Sequence, residues 1–209
     1  TLMRGKFIVI EGIDRCGKDT QINKLIEYYN QQNIRVEKIN FPNEKLSSGQ
    51  KCRDYLLQKI QLTDAESNAL FAYNRTETLP EIKEKLMNGV TIICSRYAFS
   101  GAAYTVAKKK MTLIEAIQND KGILIPDLTI LLTINPKTIE NRFDSQDRYE
   151  NVEFQQQVLN QFLEIKQLKN VGRWEVIEVE TIEKTQEKII NVVQMLNIQQ
   201  QIQEGLFFE

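Results

Sequence analysis

Apolar residues gather into short runs separated by longer amphipathic stretches. Lys6-Phe7-Ile8-Val9-Ile10 is the first run, closed by Glu11-Gly12. Ile34 to Ile39 follows Gln31-Gln32-Asn33; Val90 to Cys94, Leu128 to Ile134 and the short Val176-Ile177-Glu178-Val179 come later. Runs of this length predict strands, and the helical stretches between them predict βα units. The expected fold is α/β, with a mainly parallel, buried five-stranded sheet flanked by helices. Thr63-Asp64-Ala65-Glu66 has the spacing of a capping box and opens a helix carrying Leu70, Phe71 and Arg75. Thr112 and Glu115 repeat the device. Ile182, Ile189, Val193 and Leu196 stripe a last helix, whose polar end at Gln199 to Gln203 reads as surface.

Length and composition narrow the function. The 209 residues fit one domain, with room for a small lid around 142–149. Twenty-seven basic residues against 28 acidic ones give a formal charge of -1, which offers nucleic acid no general attraction. No apolar run is long enough for a membrane span, and the start of the chain has no secretory pattern. Cys16, Cys52 and Cys94 are an odd set without CxxC spacing, as expected of free thiols in a reducing, intracellular compartment, cytoplasmic or nuclear. There is no histidine, so imidazole metal sites and histidine bases are excluded. Chemistry must come from carboxylates, cations, hydroxyls and backbone donors.

Gly12-Ile13-Asp14-Arg15-Cys16-Gly17-Lys18-Asp19-Thr20 joins the first strand to a helix. Glycines at this spacing let backbone N–H groups curl around phosphate oxygens, and Lys18 can reach the β- and γ-phosphates. The motif expects Ser or Thr after Lys18, but Asp19 stands there. A carboxylate can ligate Mg²⁺ as a hydroxyl can, yet it repels phosphates when the metal is absent. Thr20 comes one position late, and a helix turns about 100° per residue, so it does not simply replace the hydroxyl.

The wider motifs are more specific. Phe41-Pro42, Leu70-Phe71-Ala72-Tyr73-Asn74-Arg75, Arg96-Tyr97-Ala98-Phe99-Ser100-Gly101, Pro126-Asp127-Leu128 and Arg148-Tyr149-Glu150 follow the phosphate loop in order. Together they resemble thymidylate kinase, in the style of its eukaryotic and viral members, over nearly the whole chain. The resemblance implies a P-loop nucleoside monophosphate kinase fold that transfers phosphate from ATP to dTMP with Mg²⁺, as a homodimer. It implies that Gly12, Arg15, Cys16, Gly17, Lys18, Asp19 and Thr20 hold ATP, with Arg142 as a further donor-side contact. Asp14 would touch the acceptor's 3′-hydroxyl, Phe71 would stack on thymine, and Arg75 would bond its edge. Arg96 would hold the acceptor phosphate, while Phe41, Gly101, Tyr104 and Tyr149 complete the pocket. Arg15, Lys18 and Arg96 are the implied catalytic residues; phosphoryl transfer needs such fixed charges more than a base.

Four positions depart from the family pattern: Asp19, Ser95 in place of an aspartate, Glu44 in place of an acceptor-phosphate arginine, and Thr76 in place of tryptophan. Lys45, next to Glu44, is the candidate replacement for that arginine. Asp19 and Ser95 read as exchanged carboxylate and hydroxyl around one Mg²⁺. Two alternatives stay open: a kinase of broader deoxynucleotide specificity, and a weakly active or inactive nucleotide-binding regulator. A GTPase is disfavoured, since no Asn-Lys-x-Asp motif occurs.

Overall fold

Each of the five apolar runs becomes a strand in the computed structural model, which describes residues 3–142, 148–149, 151–196 and 201–207. In chain order the first half holds β1 (Phe7–Gly12), α1 (Lys18–Gln31), β2 (Val36–Asn40), α2 (Ser47–Leu56) and α3 (Asp64–Met87). The second half holds β3 (Thr91–Ser95), α4 (Ala98–Ala107), α5 (Leu113–Ile117), β4 (Leu128–Thr133), α6 (Val152–Ile165), β5 (Trp174–Glu178) and α7 (Ile182–Gln194). Short 3₁₀ segments occupy Gln118–Asp120 and Pro136–Arg142.

The strands are ordered β2-β3-β1-β4-β5, and every strand pair is parallel. This is the P-loop nucleoside monophosphate kinase arrangement that the sequence led us to expect. All of β1 and β3 is buried, which is why their sequences are unbroken apolar runs. The edge strand β5 is half-exposed and begins at Trp174, ahead of the apolar run that marked it. Helices α1 and α7 pack together, α1 against β1, β2 and β3 and α7 against β5. Helix α4 packs between α3, α5 and α6 and touches β1. Both capping boxes form, at Thr63 with Glu66 and at Thr112 with Glu115.

Ion pairing also joins the strands. Arg4 forks onto Asp127 at 2.5 and 2.8 Å, and Asp127 takes the N–H of Phe7 at 2.8 Å. The start of β1 is thereby fixed to the start of β4. No described helix is long and apolar enough to cross a membrane.

The C-terminal reading needs correction. Helix α7 ends at Gln194, residues 197–200 lie outside the described residues, and 201–207 are not helical. Instead this segment runs back along the core. The Gln203 carbonyl accepts from the N–H of Ile125 at 2.8 Å, and that of Leu206 accepts from Gly122 at 2.9 Å. Leu206 and Phe207 are buried, with the Phe207 ring 5.8 Å from Phe99. Only three apolar residues, Leu206 to Phe208, follow the polar stretch, too few to show a period.

Leu206→Ala is expected to cost about 2–5 kcal/mol, the range for truncating a buried leucine. Urea unfolding measures it; a loss below about 0.5 kcal/mol would show that the tail does not stabilise the core.

Candidate active site

Strand β1 is the switch point of the sheet: the chain leaves it toward β2 on one side, while β4 pairs on the other. Ligand crevices in open parallel sheets lie beyond the carboxyl ends of the strands at such points. The Gly12–Lys18 loop sits there. A Cβ on Gly12 would come within 2.7 Å of the Leu132 carbonyl, and Gly17 has φ +93° as it caps α1. Arg15 is left-handed as well, with φ +58°. Lys18 is buried and donates to the loop's own carbonyls, Gly12 at 3.1 Å and Ile13 at 2.6 Å. Burial, and then the charge of Arg96, push its ammonium below the ordinary lysine value. Cys16 lies under the loop, its Sγ 3.8 Å from Lys18.

Arg96 ends the strand next to β1 and holds φ +64°, a costly conformation for a side chain of this size. A carboxylate behind it accounts for that geometry. Glu11, fully buried, accepts from the N–H groups of Tyr97 at 2.8 Å and Ser100 at 3.1 Å and from the Ser100 hydroxyl at 2.5 Å. The start of α4, immediately after Arg96, is thus tied to β1. Burial raises the Glu11 pKa, although Ser100 and Arg96 oppose the shift. In front, the Arg96 guanidinium pairs with Asp14, meets the Ser100 hydroxyl at 3.2 Å and lies 5.1 Å from the Tyr104 ring centre. Asp14 also accepts from Tyr104 at 2.9 Å and Gln155 at 2.6 Å. Burial pushes Asp14 upward, but Arg96 and Lys18 outweigh it and hold the carboxyl below its usual range.

A cleft of about 760 Å³ runs from this loop to an aromatic wall. Asp14, Arg15, Lys18, Phe41, Phe71, Arg75, Arg96, Gly101, Tyr104, Arg142 and Tyr149 all line it. Phe71 and Arg75 share one face of α3. Arg75 is buried and forks onto buried Asp120, with Nε and Nη2 each at 2.7 Å. The Nη1 group takes no part in that fork. Gly101 faces this guanidinium, since a Cβ there would lie 2.6 Å from Nη2. Tyr149 hydrogen-bonds Tyr55 at 3.1 Å and stacks on Phe154. Lys108 closes the same wall, over the rings of Tyr55 and Tyr149.

The loop after β2 is fixed by α3. Asn74 accepts the Asn43 N–H at 2.7 Å and donates to the Asn43 carbonyl at 3.3 Å. The Phe41–Pro42 peptide is cis. Glu44 lines the cleft, whereas Lys45 is exposed and lines a neighbouring pocket of about 340 Å³. The expected replacement of the missing arginine by Lys45 therefore receives no support from position, since Lys45 does not line the cleft. Arg53 of α2 lines the cleft instead, with Nε 4.0 Å from Glu44.

Asp19, Thr20 and Ser95 also line the cleft. Ser95 is opposite Ile10 in the β1–β3 register, so its hydroxyl and the phosphate loop share one end of the sheet. A carboxylate and a hydroxyl suit Mg²⁺, which takes few protein oxygens and completes its shell from phosphates and water. In the segment expected to form a lid, Arg142 donates to the Arg15 carbonyl at 3.5 Å, and 143–147 and 150 lie outside the described residues.

A family model described as thymidylate kinase matches residues 10–189. The chain belongs to the thymidylate kinase family. The thymidylate kinase of Danio rerio is 38% identical over 188 residues, covering 89% of this chain and 88% of that one. The Schizosaccharomyces pombe enzyme is 36% identical over 199 residues, covering 93% and 94%. Among solved structures, the Candida albicans thymidylate kinase superposes with a TM-score of 0.84 at 28% identity, covering 98% of this chain and 100% of that one.

Against the family motifs, sequence reasoning missed Glu11, Arg53, Asp120 and Gln155. A signal existed for Glu11, a carboxylate ending an apolar strand. One also existed for Arg53, a cation on the helix after an acidic departure. Nothing in the spacing pointed to Asp120, which meets Arg75 across 45 residues.

Asp120→Ala is expected to destabilise the fold by about 3–5 kcal/mol, because it leaves the Arg75 charge buried and unpaired. Combining it with Arg75→Met should recover most of that loss. Denaturation of the three variants tests this; a double variant as unstable as Asp120→Ala alone would refute the pair's role.

Proposed function

We propose that this protein transfers the γ-phosphoryl group of ATP to dTMP, giving dTDP and ADP. The observation that carries the reading is the single cleft in which a P-loop lysine, the Arg96–Asp14 pair and the Phe71–Arg75 face follow one another. The donor would lie on the N–H groups of the Gly12–Lys18 loop, with Arg15 and Arg142 beside its phosphates. The acceptor base would stack on Phe71 and bond Arg75, its sugar meeting Asp14 with Tyr104 and Tyr149 alongside. The Asp14 carboxyl is held below its usual range and fixed by three side chains, which suits it to accept a hydrogen bond from a sugar hydroxyl.

The reaction needs an acceptor phosphate oxygen in line with the γ-phosphorus of ATP. The new P–O bond forms as the bond to the bridging oxygen breaks, and ADP carries away its electron pair. Arg96 would hold the attacking phosphate, Lys18 would leave the loop carbonyls for the β- and γ-oxygens, and Arg15 would face charge developing between them. Bound Mg²⁺ would neutralise phosphate charge, with Asp19 and Ser95 as the protein's oxygen donors. We assign to Arg53, rather than Lys45, the contact with the acceptor that Glu44 cannot make. A homodimer, and a single domain with a lid at 142–149, belong to the same reading and are supported by family membership.

The Candida albicans structure is described as revealing the origin of that enzyme's broad substrate specificity. Assaying dTMP, dUMP, dGMP and dCMP with ATP therefore tests the substrate directly. A strong preference for a purine acceptor would overturn the reading.

Arg96→Ala should lower turnover at least about a hundredfold, the scale for removing a preorganised charge donor. Near-normal kcat in the folded variant would remove Arg96 from the mechanism.

Phe71→Ala and Arg53→Ala should each raise KM for dTMP about tenfold while leaving binding of an ATP analogue unchanged. Phe71 is a cleaner probe of the acceptor than Arg75, whose loss also strands Asp120. Equal losses at both substrates, read by titration, would instead make these residues props of the fold.

A further inference from the structure

The carboxylate of Asp19 has a partner that its motif does not supply. Lys38, in β2, places Nζ 2.9 Å from Asp19 Oδ1. The two come together because α1 packs against β2, whose Lys38 lies in register with Ile93 of β3. The lysine side chain is only 26% exposed, while that of Asp19, on the cleft wall, is 74% exposed. The cation is therefore the better anchored member, and the carboxylate is the one able to turn.

Two forces act on Asp19 at this position. As an acidic residue in the first turn of α1 it suits the positive end of the helix dipole. The same helix end and the adjacent loop are the phosphate cradle, so an uncompensated carboxylate there opposes a donor carrying several negative charges. A hydroxyl at this position would carry no such conflict. With Lys38 attached, Asp19 adds no net charge to the cradle.

We infer that Lys38 is a positioning residue for the donor site, neutralising Asp19 and competing with Mg²⁺ for its carboxylate. This rests on the reading that ATP binds at the Gly12–Lys18 loop. Asp19 then has two alternative cationic partners: Lys38 when the nucleotide is metal-free, and the metal when it is Mg²⁺-bound. The pair sets how strongly donor binding depends on metal. Lys38 is not among the residues lining the main cleft, so it acts through Asp19 and not on the phosphates.

The experiment measures binding, without acceptor, of the non-hydrolysable imido analogue of ATP in EDTA and in saturating Mg²⁺. Lys38→Gln should weaken metal-free binding by about fivefold, the scale of one charge contact near water, and leave Mg²⁺-bound binding equal or tighter. Lys38→Arg, which keeps the charge, should preserve the wild-type ratio between the two conditions. In an Asp19→Ser background Lys38→Gln should change neither. Parallel weakening in both conditions, or the same weakening after Asp19→Ser, would overturn the inference and make Lys38 an ordinary phosphate contact or a fold residue. If folded wild-type protein bound the analogue in neither condition, the donor-site reading itself would fail, and this inference with it. Binding that ignores Lys38 overturns the inference alone.

Discussion

Two carboxylates and two cations converge where β1 and β3 end, and the site is organised around them. Glu11 holds the start of α4 from behind and so fixes Arg96 in a left-handed conformation. Asp14 pairs with the same arginine from the front, while Lys18 lies beneath, against the loop carbonyls. Their environments drive the carboxylates apart: burial raises Glu11, whereas Arg96 and Lys18 overcome burial and lower Asp14. One acid is therefore structural and the other is kept charged toward the cleft. Removing Asp14 or Arg96 would leave the other largely buried and without its counterpart.

The sheet makes this convergence possible. Parallel strands deliver the ends of β1 and β3 to one edge, at the point where the chain departs in opposite directions. The anchoring of β1 to β4 by Arg4 and Asp127 lies at the opposite end of the sheet. Convergence matters because catalysis by fixed charges requires donors that need not rearrange during transfer.

The five strands and both capping boxes were legible, because burial and backbone hydrogen bonding impose local patterns. The phosphate loop was legible for a similar reason: close backbone packing at Gly12 and positive φ at Gly17 demand glycine at fixed spacing. Phe71 and Arg75 could be placed on one helical face from their separation alone. Contacts between distant segments left no such trace. Asp120 gives no hint that it forks onto Arg75, nor does Gly101 that its missing Cβ makes room for that fork. The docking of Leu206 and Phe207 was hidden by the polar residues before them, and β5 was shortened by its half-exposed edge. Lys45 was favoured by adjacency in sequence, but Glu44 lines both the cleft and the neighbouring pocket while Lys45 lines only the latter.

Two of the four departures from the family pattern share an electrostatic form. Asp19 and Glu44 each add a negative charge to the wall of a cleft suited to phosphates, one on the donor side and one on the acceptor side. Each has a cation from a different element: Lys38 of β2 reaches Asp19 at 2.9 Å, and Arg53 of α2 comes within 4.0 Å of Glu44. The Glu44 pair is the looser, with both side chains about half-exposed, so Arg53 can turn to an acceptor at little cost. Each added carboxylate thus has a cation beside it, although of the two only the Glu44 position has changed sign. Pairing across elements limits the repulsion that anionic substrates would meet in the cleft, and on electrostatic grounds it favours an active kinase over a vestigial nucleotide-binding fold.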